Sequence, residues 1–141
     1  MQNAPGETVG YFEHDADIGI VGRGPTLERA LEAAAQAAFA IMAEPSAIAP
    51  ERELRVQFEE ADPEFALVTW INALLAQSRE QGLALCRFEL ARENDRWRGR
   101  AWGASWREGQ ERGTEVKGAT LTMLSVKRTA AGWEARCVVD V

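Results

Sequence analysis

The residues with the most chemistry to offer are acids. The run Glu13-His14-Asp15-Ala16-Asp17 sets three carboxylates within five positions. In an extended segment Glu13, Asp15 and Asp17 would point the same way. Like charges that close repel unless a cation or a basic group sits among them; taken alone, the run reads as a solvated acidic turn rather than a metal site. The other end of the chain adds oxygens. Val138-Val139-Asp140-Val141 stops directly after a strand-like stretch, which puts Asp140 beside the terminal carboxylate of Val141. Donors made only of hard oxygens suit Ca²⁺ or Mg²⁺ rather than zinc or copper.

Other routes to chemistry find less support. Cys86 and Cys137 each lie inside an apolar run and read as small buried hydrophobes of a reducing compartment. With a single histidine they cannot build a four-ligand zinc site. A Ser-His-Asp or Cys-His arrangement would depend on His14, which no nucleophile-elbow pattern accompanies. Gly19, Gly22 and Gly24 precede a helix in the order Gly-x-x-Gly-x-Gly, without a Walker lysine or dinucleotide spacing, and read as a turn rather than a phosphate cradle. Arg96, Arg98, Arg100, Trp102 and Trp106 share one strand parity. They could stack on single-stranded bases, or form a solvated arginine face that shields aromatics.

These residues need elements to position them. Val9–Glu13 and Ile18–Gly22 read as short extended segments, and Gly22-Arg23-Gly24-Pro25 as punctuation. Leu27, Ala30, Leu31, Ala34, Ala38, Ile41 and Met42 then recur on one helical face behind the cap Thr26, with Pro45 beyond the end. Leu54, Val56 and Phe58 alternate as in a half-buried strand. Asp62-Pro63-Glu64 opens a second helix with buried face Leu67, Trp70, Ile71, Leu74 and Leu75, ending near Gly82. Beyond it the period falls to two. Cys86–Leu90 and Arg96–Trp106 pair about Asn94-Asp95, and Val116–Lys127 with Trp133–Val141 form a last hairpin about Ala130-Ala131-Gly132. Direct strand succession with few, early helices predicts an α+β domain of two helices on a largely antiparallel sheet.

Composition sets the bounds. The 141 residues, 46% hydrophobic and 27% charged, suit a single domain over 1–141 with an ordinary core. A net charge of −6 argues against binding nucleic-acid phosphates as the main role. Residues 1–65 hold thirteen acids and four bases, whereas 87–112 hold seven arginines and five acids, so the two electrostatic halves differ within one domain. No signal-like start and no run of the roughly 18 apolar residues of a spanning helix is present, so a cytoplasmic protein without membrane contact is expected.

The chain resembles the archease family. The resemblance rests on Tyr11-Phe12-Glu13-His14-Asp15-Ala16-Asp17-Ile18-Gly19-Ile20, Thr26-Leu27-Glu28-Arg29-Ala30-Leu31, Trp70-Ile71-Asn72-Ala73-Leu74-Leu75, Glu115-Val116-Lys117-Gly118-Ala119-Thr120 and Trp133–Val141, in the family's order across nearly the whole chain. It implies a non-enzymatic, chaperone-like cofactor that activates the tRNA-splicing RNA ligase. That ligase joins 2′,3′-cyclic phosphate or 3′-phosphate ends to 5′-hydroxyls in tRNA splicing and RNA repair, and its guanylylation and turnover would be promoted. RNA would be met only through the ligase. Carried over by position, the resemblance implies metal ligands at Asp17, Asp140 and Val141, holding Ca²⁺ or another divalent ion such as Mg²⁺ or Mn²⁺, and a functional lysine at Lys117. The chain departs from the family at Asp15, at Gly103-Ala104 and at Thr122-Met123, the last two residues lying close to Lys117. The other readings are a general protein- or RNA-binding chaperone module using the Arg/Trp strand, and a two-carboxylate metal-dependent hydrolase, for which no base or nucleophile accompanies the acids.

Overall fold

Along residues 6–141, which the computed structural model describes, strands β1 (Thr8–His14) and β2 (Asp17–Gly24) come first and helix α1 (Leu27–Ala40) follows. A short 3₁₀ turn (Pro45–Ala47), β3 (Arg52–Glu59) and helix α2 (Pro63–Gln81) lead to the long hairpin β4 (Leu83–Glu93) and β5 (Arg96–Ser105). The chain then forms β6 (Gly118–Ala119), β7 (Ser125–Thr129) and β8 (Gly132–Asp140). The strands are antiparallel but make two sheets rather than the one expected. The larger runs β1-β2-β8, with β6 and β7 end to end along the far edge of β8; the smaller runs β3-β5-β4.

Local signals explain the helices. Thr26 Oγ1 accepts from the Arg29 N–H at 3.2 Å, and Asp62 Oδ1 from the Glu64 N–H at 2.7 Å, each capping a helix start as the sequence suggests. Gly82 ends α2 in the left-handed region at φ 67°. The apolar face of α2 is buried as read, and the indole N–H of its Trp70 donates to Leu31 O at 3.0 Å. Helix α1 differs from the one-faced expectation. Ala33, Ala35 and Ala37 are buried along with Ala30, Leu31, Ala34 and Ala38, because α1 lies between the sheets, against β2 on one side and β4 on the other. Alanine lets both sheets approach. Gly22 and Gly24 belong to β2 rather than to a turn: a Cβ on Gly22 would stand 2.2 Å from the Ala34 nitrogen and 2.4 Å from Ala30 O. The glycines admit a helix, not a phosphate.

The last hairpin also departs from the sequence reading. Val116–Lys127 is not one strand; residues 120–124 bulge from the sheet edge between β6 and β7. Both cysteines are buried and free, and burial pushes their thiols up, Cys137 to about 12, so neither is a thiolate near neutrality. Among the described residues no helix is long and apolar enough to cross a membrane.

Three glutamates, Glu7, Glu32 and Glu134, are buried among the described residues. Glu32 of α1 is buried, with Oε2 accepting from the Leu90 N–H at 2.8 Å and Oε1 2.9 Å from Arg29 Nη1. Arg29 Nη2 donates to Leu90 O at 3.3 Å, so the two side chains together pair with the free edge of β4 as a neighbouring strand would. Burial pushes Glu32 up to about 8, and the carboxyl of Glu7 opposite it adds to the rise, against the pull of Leu90 N–H and Arg29. Glu32 therefore keeps a proton near neutrality, while Glu7 Oε1 is a buried oxygen with no hydrogen-bond partner among the described residues.

A proton held in the native state at about 8, against 4.5 for an ordinary glutamate, stabilises the fold fully below 4.5 and is lost as pH rises through about 8. Urea unfolding at pH 5 and pH 8.5 is expected to show that loss. In Glu7→Gln the amide donates to Glu32 without needing a proton, and the loss should shrink by about 1 kcal/mol or more. Equal pH dependence in the two proteins would show that Glu7 does not raise Glu32.

Candidate functional site

The acidic run does not form the one-sided cluster that an extended segment would give. Asp15 and Ala16 turn the β1–β2 hairpin, with Asp15 at φ 52°, and the pairs Glu13↔Ile18 and His14↔Asp17 put Glu13 and Asp17 on opposite faces. Asp17 instead faces another partner. It begins β2, Asp140 ends β8, and the two stand one step beyond the last β2–β8 pair, Ile18↔Val139. Ile18 and Val139 pack into the core, so Asp17 and Asp140 lie together on the other face of the sheet. The Val141 N–H donates to Asp17 Oδ1 at 3.3 Å, which ties the last residue across 124 positions of sequence.

Lys117 arrives from the far edge of β8. It lies just before β6 rather than inside a strand, and its N–H donates to Asp140 O at 2.8 Å, while Gly118 pairs with Asp140. The structure thus assembles Asp17, Lys117, Asp140 and Val141 from three chain segments at one end of the larger sheet. Among the described residues, neither carboxylate nor the exposed Lys117 takes part in a salt bridge. His14 is half-buried, its Nδ1 only 3.8 Å from the almost fully exposed Asp15 carboxylate.

The residues that hold Lys117 in place are on α2, and the sequence reading missed them. Ala119 donates its N–H to Asn72 Oδ1 at 2.8 Å and accepts from Asn72 Nδ2 at 3.3 Å, so one amide side chain completes both backbone groups of a strand residue. Arg79 Nη2 donates to the carbonyls of Val116 and of Lys117, the latter at 2.9 Å. In the first turn of the helix, Glu64 Oε2 accepts from the Val126 N–H at 3.4 Å. Glu64, Asn72 and Arg79 fall seven or eight residues apart, hence on one stripe. That spacing of long polar residues beside the apolar face was the available signal.

As donors, Asp17 and Asp140 offer hard oxygens, and no group of three His, Cys, Asp or Glu side chains forms among the described residues. A divalent ion there would need the carboxylate of Val141 as a third anionic donor. The residues fit such an ion in type, since all candidate donors are oxygens and none is neutralised by a neighbouring cation.

The Arg/Trp strand resolves as the solvated face. Arg87 and Arg100 lie 4.6 and 5.1 Å from the Trp102 ring centre, and Arg112 lies 4.0 Å from that of Trp106. Arg100 also bridges Glu53 and Glu89, and Arg96 bridges Glu59. Arg87, Arg96 and Arg100 are thus engaged with an aromatic ring or carboxylates of the same sheet, and Arg98 makes no such contact among the described residues.

Comparison with known proteins covers almost the whole chain. The Archease protein family matches residues 10–141. A protein archease of Methanosarcina mazei is 30% identical, spanning 96% of this chain and 97% of the relative, and one of Sulfolobus acidocaldarius is 33% identical, spanning 93% and 96%. The solution structure of a Methanobacterium thermoautotrophicum protein superimposes with a TM-score of 0.80 at 28% identity, covering 94% of this chain and 98% of that one. A Thermotoga maritima crystal structure, described as an archease and possible chaperone, shares the fold at a TM-score of 0.60 and 23% identity, covering 92% and 94%.

Asn72→Ala strips both partners from Ala119 and is expected to cost about 1–2 kcal/mol in urea unfolding. Arg79→Ala leaves the carbonyl of buried Val116 unpaired and should cost about as much. In both variants amide exchange at Gly118 and Ala119 should quicken while that of β2 and α1 holds. Unchanged exchange at β6 would show that α2 does not anchor it.

Proposed function

The chain belongs to the archease family, and from that premise we propose that it is a protein cofactor, without bond-making chemistry of its own, that activates the tRNA-splicing RNA ligase. The observation that carries the reading is the meeting of Asp17, Lys117 and Asp140 at one exposed sheet end, although 123 positions separate the first from the last. In this reading Lys117 brings a cation to the anionic groups of the ligase's nucleotide pocket, with its backbone set by Asp140 and Arg79 so that only the side chain is left to move. Asp17, Asp140 and the carboxylate of Val141 would hold a divalent ion, Ca²⁺ as the family resemblance implies or else Mg²⁺ or Mn²⁺, which when bound supplies positive charge for phosphate oxygens. The rest of the site consists of this chain's own groups: the Val141 N–H orients one oxygen of Asp17, and the β2–β8 register keeps the two carboxylates side by side. RNA is reached through the ligase, in keeping with the net charge of −6.

Purified protein added to its cognate ligase with GTP and Mn²⁺ is expected to speed guanylylation of the ligase and to permit turnover beyond one round. Unchanged rates across a wide concentration range would sink the proposal. Lys117→Ala should keep the melting temperature within about 1–2 °C, because an exposed lysine contributes little to stability, while lowering the activated rate at saturation. Equal activation by the variant would return Lys117 to the ordinary surface.

The cation is tested separately. Calorimetric titration of Ca²⁺ should show binding weakened at least tenfold, about 1.4 kcal/mol, in Asp140→Ala and in a form with one residue added after Val141, which turns that carboxylate into a neutral amide. Indistinguishable affinities would take the cation out of the proposal.

A further inference from the structure

The most exposed large hydrophobic side chains of the described residues are Leu121, at 61%, and Met123, at 58%, and both stand on the bulge between β6 and β7. Single apolar residues on a surface are ordinary; two on one tightly held turn are less so. The bulge is pinned to β8 on both sides. Thr120 N–H and Oγ1 donate to Val138 O at 3.0 and 2.8 Å, Val138 N–H donates to Thr122 O at 3.1 Å, and Thr122 N–H donates to Thr120 Oγ1 at 3.2 Å. Within this frame Met123 adopts φ 54°, a left-handed conformation that costs a methionine about 1 kcal/mol. Two water-exposed apolar side chains are therefore presented rigidly, at a local cost, where a glycine or asparagine would fit better.

The position of the bulge argues for what it meets. Val138 is two residues from Asp140, so the bulge sits roughly 7 Å along the sheet from the Asp17/Asp140 pair, and Lys117 is three residues before Thr120. Even with a divalent ion held by Asp17, Asp140 and Val141, a chain of net charge −6 stays anionic overall, which disfavours a phosphate backbone or an anionic membrane and favours a cationic protein surface. We infer that Leu121 and Met123 form a docking knob for a protein partner: they insert into an apolar hollow bordered by basic side chains, and so bring Asp17, Asp140 and Lys117 against the partner's own site. This rests on the ligase reading above and deepens it by separating the residues that bind the ligase from those that activate it. Rigid apolar anchors give up little conformational freedom on binding, which is the usual character of a hot spot.

The test uses the purified cognate ligase and the double variant Leu121→Ser/Met123→Asn, whose asparagine relieves the left-handed strain, so that the fold and melting temperature are kept or improved. The concentration giving half-maximal activation should rise at least tenfold with the saturating rate unchanged, and calorimetry should show the same loss in direct binding to the ligase. Lys117→Ala should do the reverse, keeping the binding and lowering the saturating rate. Leu121→Met, which preserves the apolar anchor, should behave as the native protein. If the native protein activates the ligase and the double variant binds it within twofold of native, the knob is overturned and the ligase reading stands. Native protein that neither binds nor activates the ligase overturns both. Tighter binding to single-stranded RNA or to phosphatidylserine vesicles than to the ligase, abolished in the double variant, would overturn the protein partner in favour of that ligand.

Discussion

The structure depends on helix α2 taking the place of a strand. Residues 116–126 run along the outer edge of β8, and over that stretch only β6 and β7 make regular pairs with it. Their outward-facing backbone groups would be left to water or unpaired, which for buried amides and carbonyls costs more than a hydrogen bond gains. Glu64, Asn72 and Arg79 answer this with an acceptor, a donor–acceptor pair and a double donor along one helical stripe. The same device recurs on the smaller sheet, where Glu32 and Arg29 of α1 complete Leu90 at the edge of β4. Each helix thus closes a sheet edge that would otherwise invite pairing with another chain.

That solution constrains everything near it. Since α1 must reach both sheets, its flanks are alanine, and β2 must be glycine where the helix backbone presses on it. Since α2 must reach the 116–119 segment with side chains of fixed length, its angle to the larger sheet is set by Asn72 and Arg79 as well as by the buried Trp70, Ile71 and Leu74. The site is a by-product of these constraints. Asp17 and Asp140 meet because β2 and β8 are neighbours in register, and Lys117 joins them because α2 holds its carbonyl.

Much of this was legible in the sequence. The caps at Thr26 and Asp62, the left-handed stop at Gly82, and the apolar face of α2 are local signals, and local structure obeyed them. Where the reading failed, information came from elsewhere in the chain. The parity argument for Glu13, Asp15 and Asp17 assumed uninterrupted extension, but a turn at Asp15 and Ala16 removes two residues from the alternation and reverses which faces agree. The glycines of β2 looked like punctuation because the helix that needs them crosses the strand from outside the local window. The break at 120–124 follows from bonds to Val138, some 16 to 18 positions away. That Asp17, Asp140, Val141 and Lys117 come together was implied by a resemblance, not by spacing; the β2–β8 register and the hold of α2 on Lys117 explain it physically.

The form of the site also bears on what it can do. A cavity of about 600 Å³ lies at the C-terminal ends of the helices, lined by Phe39, Leu75, Trp106 and Arg112, and not at the carboxylates, of which Asp140 is exposed and Asp17 half-buried. Water-excluding walls, which strengthen electrostatic interactions in enclosed sites, are therefore missing where Asp17, Asp140 and Lys117 stand. Exposed charges of this kind are weak in free solution and gain strength when another surface covers them and expels water. Arg79 links the two regions, since it lines the cavity and also holds the carbonyls of Val116 and Lys117. A cluster of charges built at an open sheet end and held in place from behind gains electrostatic strength only where another surface encloses it.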